Sequence, residues 1–187
     1  MKKVVAIYGS HRKNGNSAHL TDVLLDAIPE DVEIKKFYLA DMEIAHCKGC
    51  FVCRRNGNVC VHKDDFLPLL DAITEADKVV ISIPVFFGTA CSAVTAFIHR
   101  GYILLAGENG QYTLRIPKKD TVAIYSQGSP FPDEFRVGID RNNVALSAMG
   151  LNVKETVICT LANEISAVAQ RGELLEKATE LGKALFK

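Results

Sequence analysis

The sequence lacks an excess of charge of either sign. Its 22 Lys and Arg residues balance 22 Asp and Glu residues, which gives a net charge of +0 at pH 7. Nucleic-acid-binding domains usually carry a basic face, so this balance argues against a nucleic-acid partner. It also argues, more weakly, against a strongly acidic electron carrier that docks through its charge.

Long apolar runs are absent as well. No stretch approaches the ~20 apolar residues that a membrane-spanning helix needs. The first apolar run begins at Val4, which leaves no room for a signal peptide before it. We therefore expect a cytoplasmic protein that does not enter a membrane. In a reducing compartment its six cysteines are not expected to form a disulfide framework.

Two familiar phosphate-binding motifs are missing too. The sequence contains neither G-x-x-x-x-G-K-[ST], the nucleoside triphosphate loop, nor G-x-G-x-x-G, the dinucleotide fingerprint. What it contains instead is an apolar run at residues 4–8, a polar loop at 9–17 and an amphipathic stretch at 18–28. This order predicts a buried strand, a loop and a helix.

The loop at 9–17 is rich in groups that hold an anion. Free backbone N–H groups and the helix dipole favour negative charge at a helix N-terminus. Ser10, Asn16 and Ser17 add side-chain donors, Arg12 adds a cation, and Gly15 lets the backbone approach a ligand. The alternative is an ordinary strand-to-helix turn in which Asn16 or Ser17 caps the helix. A phosphate at this loop is our first hypothesis.

The remaining chain repeats the order of strand and helix. Five such units predict a parallel sheet with helices on both faces, and 187 residues suit one domain over residues 1–187. The predicted strands are 4–8, 32–39, 78–83, 121–125 and 152–160. The predicted helices are 18–28, 66–76, 91–106, 133–149 and 164–186.

Three loops follow strands of this sheet, at 9–17, 84–88 and 126–130. Ligands of open parallel sheets bind at the carboxyl ends of the strands, so we expect the loops to meet there. Together they offer anion donors, flat apolar surface and a small polar turn, which suits a phosphorylated planar ligand such as FMN. The alternative for Phe86 and Phe87 is core packing or a dimer contact. The candidate flavin-binding residues are Ser10, Arg12, Gly15, Asn16, Ser17, Pro84, Val85, Phe86, Phe87, Gly88, Ser126, Gln127 and Gly128.

Two motifs carry a resemblance to a known family. G-S-x-R-x-x-G-N-S begins at Gly9, and S-x-P-V-x-F-G begins at Ser82, followed by S-A and F-I-x-R ending at Arg100. The pattern resembles the flavodoxin-like NAD(P)H-dependent FMN reductases, in order and spacing along essentially the whole chain.

The resemblance implies a flavodoxin-like fold of three α/β/α layers, with a five-stranded parallel sheet in the order 2-1-3-4-5. It implies non-covalent FMN, hydride transfer from NADH or NADPH to the flavin, electron transfer to an acceptor, and a homodimer or homotetramer. No side chain stands out as a general acid or base, and hydride transfer needs none. The physiological acceptor is left open.

A cysteine-rich loop is predicted at residues 41–63. Cys47, Cys50, Cys53 and Cys60 form C-x2-C-x2-C-x6-C, and thiolates at this spacing can bind a [4Fe–4S] cluster. The segment resembles that of the iron–sulfur flavoproteins, in which the cluster relays electrons between a ferredoxin and FMN. A zinc site, a redox disulfide and a loop without metal remain alternatives. For the whole protein, a flavodoxin-type carrier and a cysteine-based redox sensor are the other hypotheses.

Overall fold

The helices and strands alternate along the chain as the apolar pattern predicts. A computed structural model describes residues 1–55, 59–107 and 111–187. The strands are β1 Lys2–Tyr8, β2 Val32–Tyr38, β3 Lys78–Phe86, β4 Thr89–Ala90, β5 Leu105–Ala106, β6 Thr113–Leu114, β7 Lys119–Ser126 and β8 Leu151–Cys159. The α-helices are α1 Asn16–Asp26, α2 Val52–Arg55, α3 Phe66–Glu75, α4 Ser92–Arg100, α5 Arg136–Ala148 and α6 Gly172–Ala184. Short 3-10 helices occupy Leu39–Asp41, Gly101–Leu104 and Ala167–Gln170.

The main sheet has the strand order β2-β1-β3-β7-β8, with every neighbouring pair parallel. Tyr8 at the end of β1 lies opposite Ser82 of β3, and Pro84 lies opposite Ser126 at the end of β7. The carboxyl ends of these three strands therefore meet at one edge. The predicted flavodoxin-like fold, with its order 2-1-3-4-5, is confirmed.

Two hydrophobic cores lie on opposite faces of this sheet. In β1, Val5 and Ile7 join the core formed with α3, α4 and α5, whereas Val4 and Ala6 join the core formed with α1 and α6. Successive strand side chains point to opposite faces, so a continuous apolar strand fills both cores. The result is the expected three-layer arrangement, which holds the loops at the edge of a rigid sheet.

The third strand is longer than predicted. Pro84 does not end it; β3 continues to Phe86 and turns back into β4, with Val85 opposite Ala90. The predicted helix 91–106 is correspondingly shorter, because α4 ends at Arg100 and the chain then pairs as β5 with β6. The apolar pattern of residues 91–106 cannot distinguish one long helix from a shorter helix followed by a strand, since the same residues are buried in either case.

The last helix also begins later than predicted. The segment from Glu164 to Arg171 contains a 3-10 turn at Ala167–Gln170, and α6 begins at Gly172. The Asn16 side chain holds this region in place through hydrogen bonds with the backbone of Ala162, Glu164 and Val168. Within the part of the chain that the structure describes, no helix is both long enough and apolar enough to cross a membrane.

Candidate functional site

A cavity of about 260 Å³ lies where the three predicted loops meet. All the predicted flavin-binding residues except Phe87 and Gly88 line it. Residues 162–165, which follow β8, form a fourth wall that sequence reasoning missed. The general rule that ligands sit at strand ends gave the signal, because the fifth predicted strand also ends at this edge.

The N-terminus of α1 forms one end of the cavity. Gly15 is its N-cap in an extended conformation, and among the described residues no side chain hydrogen-bonds to the first turn as a cap. The Gly15 N–H donates to the Arg12 carbonyl at 2.9 Å, and the Ser10 hydroxyl oxygen accepts from the Arg12 N–H at 3.0 Å. A tight turn thus presents an uncapped helix end, which carries partial positive charge, to the cavity.

The Asn16 side chain serves the fold rather than the open cavity. Its Nδ2 donates to the carbonyls of Ala162 at 3.1 Å and Glu164 at 2.8 Å, and its Oδ1 accepts from the Val168 N–H at 3.0 Å. All hydrogen-bonding groups of this buried amide are therefore used. Asn16 lines the cavity, and its side chain holds the fourth loop in place.

Arg12 joins the first and fourth loops while remaining exposed. Its Nη1 donates to the Asn163 carbonyl at 3.1 Å. A guanidinium has five N–H donors, so this single bond leaves capacity for an anion beside the helix end. Ser17 is buried and lines the same cavity.

Among the residues that line the cavity, Gln127 carries an unsatisfied polar atom. Gln127 is buried; its Nε2 donates to the Phe131 carbonyl at 2.8 Å, while its Oε1 has no hydrogen-bond partner among the described residues. A buried acceptor without a partner is costly. A ligand ring that carries an N–H would satisfy it, so this part of the lining suits a planar heterocycle such as that of FMN.

Phe87 and Gly88 form the tip of the hairpin between β3 and β4. Both have positive φ, 50° for Phe87 and 77° for Gly88, as in the two-residue turns that match strand twist. Phe87 is fully exposed and Phe86 is more than half exposed, so neither belongs to the core. A shallow depression of about 610 Å³ beside them shares Val85, Phe86, Gly128 and Asn163 with the first cavity. The hairpin therefore extends the apolar wall outward into solvent.

The four predicted cysteine ligands line a second cavity, of about 460 Å³. Cys47 and Cys50 are exposed, whereas Cys53 and Cys60 are half-buried and pack against the core. Burial, together with the neighbouring thiols, raises the pKa of Cys53. In residues 1–55, 59–107 and 111–187, no three His, Cys, Asp or Glu side chains are placed to hold a metal ion together. Positions 56–58 of the predicted 41–63 loop lie outside the described residues.

A buried ion pair closes the floor of the cysteine cavity. Arg100 binds Asp64 through both terminal nitrogens, at 2.5 Å and 3.0 Å, and also donates to the Ala45 carbonyl at 3.0 Å. Burial alone would raise the pKa of Asp64, but the hydrogen bonds from Arg100 and from the Ala45 N–H outweigh it and hold that pKa below its usual value. The sequence did not reveal this pair, because Asp64 lies in the loop before α3 and Arg100 lies at the end of α4, 36 positions away.

Comparison with known proteins identifies the family of this chain. Residues 2–110, more than half of the chain, match the family described as NADPH-dependent FMN reductase. An iron-sulfur flavoprotein of Archaeoglobus fulgidus is 36% identical over 118 residues, which cover 60% of this chain and 54% of the relative. One from Methanocaldococcus jannaschii is 35% identical over 106 residues, covering 56% and 54%. The chain thus matches about half the length of these relatives.

Solved structures share the fold at low sequence identity. An NAD(P)H:quinone oxidoreductase from Methanothermobacter marburgensis superposes with a TM-score of 0.77 at 13% identity, covering 98% of each chain. An azoreductase from Bacillus anthracis gives a TM-score of 0.73 at 18% identity, covering 98% of this chain and 100% of its own. These structures support the architecture independently of sequence.

Proposed function

The chain belongs to the NADPH-dependent FMN reductase family, and from this premise we propose that it binds FMN in the 260 Å³ cavity and works as an NAD(P)H-dependent oxidoreductase. The observation that carries the proposal is the meeting of three sequence-predicted loops at the uncapped N-terminus of α1. The electron acceptor would be a small molecule or another protein.

The residues present fit FMN at both ends of the cavity. The first-turn N–H groups of α1, with Ser10, Arg12 and Ser17, would hold the phosphate. The apolar wall from Pro84 to Phe86 and the turn from Ser126 to Gly128 would frame the ring, with Gln127 Oε1 accepting a ring N–H. Bound FMN would supply the hydride-accepting chemistry, and the protein would position it and tune its surroundings.

We also propose that the exposed hairpin at Phe86 and Phe87 is covered in a homodimer or homotetramer. Exposed large aromatic side chains beside a ligand cavity are typical of an interaction surface. Residues 1–187 would form one flavodoxin-like domain that carries the cysteine-rich loop. Six free cysteines fit a reducing, cytoplasmic location.

Flavin titration tests the cofactor assignment. We expect the protein to quench FMN fluorescence on binding, and to bind riboflavin much more weakly because riboflavin lacks the phosphate. Arg12→Gln should weaken FMN binding about 10-fold or more, as expected for loss of a hydrogen bond to a charged group. Lys13→Gln is the matched control: Lys13 lies in the same loop but pairs with Asp41 at 2.6 Å. Equal affinity for FMN and riboflavin would contradict the proposed phosphate site.

Reduction kinetics test the activity. We expect NADPH or NADH to bleach the bound flavin absorption in anaerobic stopped-flow measurements. Bound flavin that neither nicotinamide reduces would instead favour the flavodoxin-type carrier. Flavin reduced by ferredoxin but not by nicotinamides would indicate the relay described next.

A thiolate-bound [4Fe–4S] cluster at Cys47, Cys50, Cys53 and Cys60 is a second proposal, with ferredoxin as electron donor. It is supported by the four thiols around one cavity and by relatives named iron-sulfur flavoproteins. The donor set has the right kind and number of ligands. No three of these side chains lie around one centre among the described residues, so closing the set requires some of the four to move. When bound, the cluster would supply one-electron transfer. Anaerobic purification followed by iron and sulfide analysis tests this: about four of each per chain would support it, and their absence would favour a redox sensor or a loop without metal.

A further inference from the structure

One buried cation lies against the cysteine cavity, and the flavin site does not account for it. Arg100 is 3% exposed, and its Nη2 donates to Cys60 Sγ at 3.4 Å. Its Nε is buried without a hydrogen-bond partner among the described residues. His62, which lines the same cavity, has its Nε2 in the same condition. Buried polar atoms that lack partners mark this cavity as incomplete.

The surroundings of Arg100 hold it in one orientation. Asp64 accepts from both terminal nitrogens, and the Ala45 carbonyl accepts a further N–H. A guanidinium held in this way keeps its remaining N–H groups in fixed directions. The bond to Cys60 is therefore a consequence of rigid geometry and not of a mobile surface side chain.

The four cysteines differ in how firmly they are held. Cys60 is fixed by Arg100, and Cys53 is half-buried and packs against the core, while Cys47 and Cys50 are exposed. The structure thus provides a half-buried pair and an exposed pair of cysteines along the same cavity.

We propose that Arg100 is a positioning residue for a thiolate-bound metal centre: it fixes the Cys60 sulfur and compensates the negative charge that several thiolates bring together. The inference rests on the second proposal above, since it concerns the same four thiols. Each thiol that binds a metal releases its proton to solvent, which leaves an anionic sulfur that a neighbouring cation stabilises. Partners of this kind commonly change metal affinity by about 10–100-fold.

Cobalt binding to the full chain tests the inference without any measurement of activity. The apoprotein is titrated anaerobically with Co²⁺ at fixed pH, and the thiolate-to-cobalt charge-transfer absorption is followed. Arg100→Lys keeps the positive charge, but it replaces the planar guanidinium, whose terminal nitrogens reach Asp64 and Cys60 at once, by a single nitrogen. We expect it to weaken cobalt binding about 10–100-fold while FMN fluorescence quenching stays unchanged. Should this variant not fold, the double variant Arg100→Gln with Asp64→Asn replaces the ion pair by a neutral one and is expected to weaken binding equally.

Arg54→Gln is the matched control. Arg54 lies one residue after Cys53, but its guanidinium donates to the Tyr102 hydroxyl at 2.9 Å. Arg54→Gln removes a positive charge beside the cysteines without breaking a bond to Cys60, and we expect cobalt affinity to stay near that of the wild type. Wild-type affinity in the Arg100 variants, or an equal loss in Arg54→Gln, would overturn the inference.

The wild-type titration separates the proposals. If the wild-type chain gives no thiolate-to-cobalt absorption, both the metal centre and the role of Arg100 are overturned. Unchanged FMN quenching in the same sample would leave the flavin proposal intact. If the wild type binds cobalt and the Arg100 variants bind it equally well, the metal centre stands and only the role of Arg100 fails.

Discussion

Removing the Asn16 side chain should weaken both the fold and the flavin cavity. Asn16→Ala deletes the two donated bonds to Ala162 and Glu164 and the one accepted from Val168. Each such bond contributes about 1 kcal/mol net, and the higher helix propensity of Ala returns about 0.5 kcal/mol. We expect a loss of about 2–3 kcal/mol in the free energy of unfolding, or about 5–10 °C in Tm for a chain of this size.

The same change should affect FMN binding, because the released loop forms the fourth wall of the cavity. Urea unfolding with and without FMN measures both effects, and a fluorescence titration gives the Kd. Asn14→Ala is the matched control, since Asn14 is exposed in the same loop; its effect should stay within about 0.5 kcal/mol. The reasoning is refuted if Asn16→Ala unfolds with the same free energy as this control.

Three other changes probe the hairpin and the sheet. Phe87→Gly should relieve the positive φ of a fully exposed residue, so thermal unfolding should show no loss of Tm while light scattering shows weaker self-association; an unchanged oligomer would contradict the proposed interface. Gly138→Ala places a methyl group onto the Gly88 carbonyl, so we expect the free energy of unfolding to fall by about 1–3 kcal/mol and FMN to bind more weakly. Wild-type stability together with wild-type FMN affinity would show that the hairpin moves freely. Lys78, which donates to Asp120 at 2.9 Å, lowers the pKa of Asp120. The pair therefore adds stability above about pH 4, and this stability is lost as the pH falls through the folded-state pKa of Asp120. The Tm of Asp120→Asn should lie below that of the wild type at pH 7, and the gap should be smaller at pH 3. A gap of the same size at both pH values would argue against the pair.

Local patterns were sufficient for the fold class and for the meeting of the three predicted loops at one cavity. Continuous apolar strands such as β3 report burial on both faces, and their alternation with helices specifies a parallel sheet. The rule that loops meet at the carboxyl ends of such strands then brings Ser10, Pro84 and Gln127 toward one place. These predictions succeeded because strand period, helix period and connection rules depend on short stretches of chain.

The endings of the elements could not be read from the same patterns. Phe86 extends β3 because β4 folds back against it, and the segment before α6 is bonded to Asn16 through the Val168 N–H. Both effects come from partners that are distant in sequence or that pair only after a turn has formed. Such tertiary contacts override the intrinsic helix and strand propensities of the residues.

By itself, the sequence determined the order of strands and helices, the two-sided sheet and the polar loop that leads into α1, because each depends on residues that are neighbours in the chain. Only the tertiary structure decided what Asn16 and Arg100 do. Asn16 looked like a phosphate ligand and is bonded to a loop more than a hundred positions away; Arg100 looked like part of a helix motif and lies against the Cys60 sulfur. The use of a polar side chain depends on which groups burial brings within hydrogen-bond distance, and only the folded chain fixes that.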